Sequence, residues 1–197
     1  VPVENGVECW AFRSSQYVKA AVDNVATYLA KQLKLGNSKW KLPAKAETPM
    51  QTSYRPKIDV SPELEPTEAA YYQSLIGVLR WMVELGRVDI CLECSMLLSH
   101  LALPRERHLN QVFHIFAHLR KYHNTELVFD PSDPCVDEAD FELKDWTSSE
   151  FGHLQGDEEL PPKMPLPRGL GFIMSAKVDA NHASDTVTRR SRTGFLV

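Results

Sequence analysis

The sequence predicts an α+β chain: a small helical bundle, then an irregular acidic insertion, then an incomplete β-hairpin. Three observations carry that prediction. Residues 66–86 hold apolar residues at helical spacing between marked ends, and two further amphipathic stretches follow closely. Beyond residue 129 the periodicity gives way to an acidic run broken by prolines. From residue 169 onward, two runs have the character of strands.

Taken in order, Val7 to Phe12 reads as a short strand with Trp10 and Phe12 on one side. Ser14 or Ser15 is placed to cap a helix over 16–33. There Tyr17, Ala21, Val25, Tyr28, Leu29 and Leu33 recur near helical spacing, and Gly36 closes the end. Lys19, Lys31, Lys34, Lys39 and Lys41 give this region a basic fringe, by default a solvated face. Pro43, Pro49, Pro56, Pro62 and Pro66 exclude regular structure over 43–66. They predict an extended connector, long enough to be either functional or loosely ordered.

The helix over 66–86 organises the rest. Pro66 stops anything upstream, Thr67 is placed to serve as N-cap, and Glu68 suits the positive end of the dipole. Gly86 supplies the left-handed residue that closes the helix. Leu75, Ile76, Leu79, Met82 and Val83 form one apolar stripe. Gln73, Gly77 and Trp81, each four residues apart, run along a different face. Gly77 costs about 1 kcal/mol against Ala in a helix interior, and Trp81 puts a large ring outside the main stripe. From spacing alone, a second layer of the same protein lying on this flat strip is the favoured account.

A third helix is expected over 88–101, with Asp89 near its positive end and Ile90, Cys94, Leu97, Leu98 and Leu101 on its apolar face. Pro104 sits at a first-turn position for a fourth, to about Lys121, with Leu109, Val112, Phe113 and Phe116 on its buried side. Three closely joined amphipathic helices suffice for a small bundle. Leu127 to Phe129 reads as a strand. Over 130–167 Phe141, Trp146 and Phe151 are candidate anchors in an otherwise acidic insertion, and an acidic run is ordinarily just solvated. Leu170 to Val178 and Thr193 to Val197 read as two strands joined by a polar loop.

The chain has 197 residues, room for one good-sized domain or two small ones, and its net charge of −4 is unevenly spread. Residues 1–122 carry 15 Lys and Arg against 12 Asp and Glu, residues 123–167 carry 2 against 12, and residues 168–197 carry 5 against 2. The acidity therefore belongs to one central segment and says little against nucleic-acid binding by its flanks. No apolar run is long enough to span a bilayer, so no membrane partner is expected. The chain opens on Val1 with no signal-peptide pattern, and reads as a piece of a longer protein. Cys9, Cys91, Cys94 and Cys135 form no convincing disulfide framework, which favours a reducing, intracellular setting.

Several constellations are weak alone. Cys91-Leu92-Glu93-Cys94 has CxxC spacing but no second pair at zinc-ribbon distance, so buried helical cysteines are expected. His114 and His118 lie one turn apart without a zincin glutamate or a third ligand, which favours a partly exposed helix surface. No phosphate-binding glycine loop and no Gly-x-Ser-x-Gly elbow appear. Asp179 stands at the end of a predicted strand, where an acid projects readily into a metal site. A two-metal nuclease needs several converging carboxylates, however, and Asp185 is the one other acid in that stretch. On spacing alone Asp179 is a turn residue.

Arg13-Ser14-Ser15-Gln16-Tyr17-Val18, Glu47-Thr48-Pro49-Met50, the run from Tyr72 to Trp81, Gly86-Arg87-Val88-Asp89-Ile90, the run from Leu119 to Phe129, Val178-Asp179-Ala180 and the run from Arg189 to Phe195 occur in one order. In that order they resemble the copia-type (Ty1/copia) retrotransposon polyprotein, at the end of its reverse transcriptase and the start of its ribonuclease H domain. The resemblance covers nearly all the chain except 130–168. It implies a thumb and connection-like helical region over 1–122, an acidic linker over 123–168 and an N-terminal fragment of a ribonuclease H-like domain over 169–197. The fold it implies is thus a thumb-like bundle with an incomplete ribonuclease H-like β-hairpin.

The resemblance further implies that Gln73, Gly77 and Trp81 face the minor groove of a template–primer duplex, RNA–DNA or DNA. Glycine there lets the backbone approach the sugars, glutamine bonds to groove acceptors, and the indole packs on a deoxyribose. An A-like duplex offers a wide, shallow minor groove suited to this. Asp179 matches the first metal-binding aspartate of the ribonuclease H fold. Where the family reads Asp-x-Asp-Trp-Ala, this chain has Asp179-Ala180-Asn181-His182-Ala183, so the second acid is lost. The palm motif Tyr-x-Asp-Asp, whose aspartates hold magnesium, is absent from these 197 residues. The expectation is a non-catalytic fragment that grips a duplex, with magnesium and the remaining polymerase and nuclease segments belonging to an intact parent. The alternatives are a helical protein-interaction module, with Trp81 and the His114/His118 face meeting a partner, or a degenerate retroelement relic.

Overall fold

The computed structural model describes residues 10–36, 39–129, 177–181 and 192–196. They form β1 (Trp10–Phe12), α1 (Ser15–Lys34), α2 (Pro66–Glu84), α3 (Cys91–Leu98), α4 (Glu106–Lys121), β2 (Leu127–Phe129), β3 (Lys177–Asn181) and β4 (Arg192–Leu196). The chain divides into two units, Val1–Pro131 and Ser132–Val197. An α+β composition is as expected. The acidic 130–167 stretch with Phe141, Trp146 and Phe151, and the cysteines Cys9 and Cys135, lie outside the described residues.

In the first unit four helices share one core. Tyr72, Leu75, Ile76, Leu79 and Met82 of α2 meet Leu109, Val112, Phe113 and Phe116 of α4, with Ile90 and Leu97 beside them, all buried. Each stripe follows from apolar residues recurring every three or four positions. On α1 the buried face is Val18, Ala21, Val22, Val25 and Leu29, so the expected stripe is turned by one position. Tyr17, Tyr28 and Leu33 are exposed instead. The compact valines fit the close approach to α4, while the Tyr28 ring stacks on Tyr71 of α2 at 4.1 Å between centroids. β1 pairs antiparallel with β2, Trp10 opposite Phe129 and Phe12 opposite Leu127. That pairing joins residues 127–129 to the first unit.

Helix ends depart from expectation in instructive ways. α2 starts at Pro66 itself, with Glu65 at the N-cap and Thr67 within the first turn. Proline is suited to that first position because its missing N–H has no partner there and its φ is already helical. Pro104 instead lies ahead of α4, where its carbonyl accepts from the Leu64 amide at 3.0 Å beside a bridge between Glu63 and Arg105. The expected helix over 88–101 divides into a 3₁₀ turn, Val88–Ile90, and α3. At the end of α2, Gly86 has φ +88°, the Gly86 amide donates to Val83 and the Arg87 amide donates to Met82. These two bonds are a Schellman closure, and they use the orphan carbonyls of the last turn.

The proline-rich connector is ordered along α4. Trp40, Met50, Tyr54 and Leu64 are buried, and its carbonyls accept from the helix: Arg120 donates to Pro43 at 2.7 Å and to Ala44 at 2.8 Å. His108 joins the two most firmly. Its Nδ1 accepts from the Arg105 amide at 3.0 Å, which assigns the ring proton to Nε2, 3.1 Å from the Pro56 carbonyl it donates to. A protonated ring cannot accept at Nδ1, so charging His108 breaks the N-terminal cap of α4.

Burial holds the His108 pKa below its ordinary value, against the opposing pull of the Pro56 carbonyl and Asp59. Burial likewise lowers His114. A histidine whose folded value lies below its unfolded one contributes stability that is complete above the unfolded value and is lost as pH falls toward the folded one. The urea midpoint is therefore expected to fall between pH 7.5 and pH 5.5, with a shallower fall in His108→Gln. A midpoint that is flat or rises over that interval contradicts this reading.

In the second unit β3 pairs antiparallel with β4, from Lys177 opposite Leu196 to Asn181 opposite Arg192. Asp179, expected at a strand end, lies at the middle of β3 opposite Gly194.

Candidate nucleic-acid interface

The buried stripe of α2 fixes how the helix is rolled. Tyr72, one turn before Ile76, is fully buried, and its hydroxyl donates to the Leu97 carbonyl of α3 at 2.7 Å. With that face held down, Gln73, Gly77 and Trp81 turn to solvent. No second layer covers them among the described residues. A Cβ built on Gly77 meets nothing within 4 Å, and Trp81 keeps 54% of its surface exposed. Where spacing alone favoured a covering layer, the described residues supply none. The glycine makes no room for any described part of the protein, although it carries the usual cost of glycine in a helix.

One neighbour orders the strip. Gln73 Nε2 donates to the carbonyl of Leu101, just past α3, at 3.0 Å. That bond uses one of the two amide hydrogens and leaves the second hydrogen and the carbonyl oxygen outside it. Leu101 was expected on an apolar helix face, but nothing in the sequence marked its carbonyl as a partner of Gln73, because a backbone carbonyl carries no residue signature. Arg80 and Glu84 are exposed on the same side of the helix and oppose each other in charge. The strip therefore offers shape, an amide and an indole, with little net charge.

Behind the strip, the turn from α2 into α3 is clamped by ions. Arg87 is 1% exposed and grips Asp89 through two bonds, Nε to Oδ1 at 2.8 Å and Nη2 to Oδ2 at 2.6 Å. His118 Nε2 of α4 lies 3.6 Å from the same Oδ2. Burial pushes the Asp89 carboxyl up, but the Arg87 guanidinium and the adjoining His118 outweigh it and hold the carboxyl below the usual aspartate range. Glu93, half-buried nearby, is pushed up by burial. Arg87 was absent from the expected core because arginine is rarely buried unless paired. Asp89 two residues on was the signal.

Two other expectations change here. His118 is buried, packed on Tyr122 with ring centroids 4.7 Å apart, and His114 is half-buried. Of the partly exposed surface expected of this pair, His114 keeps a share and His118 does not. The cysteines part company too: Cys94 is buried and Cys91 is exposed.

Among the described residues no group of three or more His, Cys, Asp or Glu could hold a metal ion. β3 supplies one carboxylate, Asp179, with the amide residue Asn181 two positions on. Among the described residues that single carboxylate falls short of the several that a two-ion site needs. No described helix is long and apolar enough to cross a membrane. Comparison with known proteins finds no matching family model, no matching curated protein and no matching solved structure.

Proposed function

We propose that this chain grips a template–primer duplex as the thumb-like part of a Ty1/copia-type reverse transcriptase and ribonuclease H polyprotein. The exposed Gln73–Gly77–Trp81 strip carries this reading. Its glycine has open space above it, and an external backbone is an occupant that needs such closeness. In the A-like minor groove of an RNA–DNA hybrid, sugars and 2′-hydroxyls lie at the surface. There the α2 backbone at Gly77 meets the sugars, Gln73 bonds to a base edge, and the Trp81 ring packs on a ribose or deoxyribose. Synthesis and hybrid cleavage belong to the parent polyprotein and its magnesium ions.

Gly77→Ala separates this reading from a structural role. Alanine in an exposed helix interior raises stability by about 1 kcal/mol, and the open space above Gly77 admits its methyl group. The added methyl stands the backbone off the sugars, and Gly77→Val does so further. Binding to an RNA–DNA duplex, measured at one stated salt concentration, is expected to weaken about tenfold in Gly77→Ala while its melting temperature rises. Unchanged duplex affinity in both variants sinks the groove-tracking reading. Retention of an unrelated protein partner, in place of the duplex, favours an interaction module on the same strip.

A further inference from the structure

Cys91 and Cys94 play no part in the duplex strip, and their environments differ sharply. Cys91 is the first residue of α3 and is exposed, whereas Cys94, one turn on, is 4% exposed within the core. Both thiols are free. Residues three apart in an α-helix have Cα atoms about 5 Å apart, inside the range of about 4.4–6.8 Å that a disulfide spans, but their Cβ atoms, about 5–6 Å apart, must close to about 4 Å, so the first turn has to adjust. Cys91 also sits where the backbone is least bound by the helix. Its amide donates to Val88 within the preceding 3₁₀ turn, so adjusting it leaves the α-helical ladder intact.

We infer that Cys91 and Cys94 form a thiol–disulfide exchange site for small disulfides of the glutathione class, Cys91 attacking first and Cys94 resolving. The thiolate of Cys91 attacks one sulfur of the small disulfide, forming a mixed disulfide and expelling one small thiolate. Cys94 then gives its proton to solvent and attacks the Cys91 sulfur. The Cys91–Cys94 bond forms, and the second small thiolate leaves. The protein loses two electrons and two protons, and the small disulfide becomes two thiols. Burial pushes the Cys94 thiol up to about 11, with the neighbouring Cys91 adding to the rise and Arg80 opposing it. That keeps Cys94 protonated and sheltered until a mixed disulfide is presented beside it. Cys91 is the thiol that solvent reaches.

The test uses the full chain with Cys9→Ser and Cys135→Ser, incubated with oxidised glutathione and read by intact mass and peptide mapping. The expected product has lost two hydrogens, maps to a 91–94 bond and carries no glutathione. Cys94→Ser in the same background is expected to trap one glutathione on Cys91, at about tenfold higher occupancy than the parent. Cys94→Ala gives the same readout should serine at this buried position unfold the chain. A persistent glutathione adduct on Cys91 with Cys94 still free overturns the inference, and so does a pair left unreacted. If both Cys94 variants unfold, the peptide map of the two-cysteine parent decides alone.

Discussion

Arg87→Met is expected to lower the unfolding free energy by about 3 kcal/mol in urea titration. Methionine keeps most of the buried volume, so the loss is chiefly electrostatic. Asp89 accepts both of its short bonds from Arg87, and the carboxylate is half-buried at the turn that sets the direction of α3. Removing the guanidinium leaves a charge with only His118 nearby, at 3.6 Å. Arg87→Lys is expected to recover only part of the loss, because an ammonium cannot reproduce two parallel bonds. Adding Asp89→Asn to Arg87→Met removes the stranded charge, and the double variant is expected to be more stable than Arg87→Met alone. A loss below about 1 kcal/mol in the single variant contradicts the clamp.

If α2 grips a duplex as proposed, the clamp bears on that role through α2. The Schellman closure at Gly86 hands the chain to Arg87, and the pair with Asp89 then sets α3 beside α2, where Leu97 anchors Tyr72 and Leu101 anchors Gln73. On the proposed duplex-gripping reading, loosening Arg87 is therefore expected to weaken binding and stability together, whereas in the strip the two part: Gly77→Ala is expected to gain stability while losing binding.

Trp81→Ala is expected to weaken RNA–DNA duplex affinity about tenfold while changing folding stability by less than about 1 kcal/mol. The asymmetry follows from exposure. With 54% of its surface in solvent, the indole contributes little to the core, and on the proposed reading the area it would bury against a sugar is gained only in the complex. It makes no phosphate contact in this arrangement, so the slope of log affinity against log salt is expected to stay unchanged. Arg80→Ala supplies the contrast. If Arg80 meets a phosphate, its loss reduces that slope by about one unit with a smaller change at high salt. A Trp81→Ala variant that binds as tightly as the parent across the salt range is incompatible with an indole in the groove.

How far the sequence reached can be judged on α2. Pro66, Gly86 and the Leu75–Ile76–Leu79–Met82 spacing marked a helix whose bounds match the structure to within a few residues. Those features act through the backbone of the same segment. Proline fixes its own φ, glycine accepts the left-handed conformation, and side chains three and four apart share a face whatever lies beyond. The paired strands at Trp10 and Leu127 were legible individually, but their partnership was not, since more than a hundred residues separate them.

The same limit explains the misses. A helical wheel places Gln73, Gly77 and Trp81 together but cannot say whether another layer covers them. It puts His114 and His118 on one face but cannot say that Asp89, from another element, draws His118 inward. It spaces Cys91 and Cys94 one turn apart but cannot tell which of them meets the core. By itself the sequence determined where the helices lie to within a few residues, the apolar stripes of α2 and α4, and the closure at Gly86, because local backbone geometry decides these. The tertiary structure alone decided that, among the described residues, nothing packs over the glutamine, glycine and tryptophan of α2. Coverage depends on where distant segments pack, and no local pattern records that.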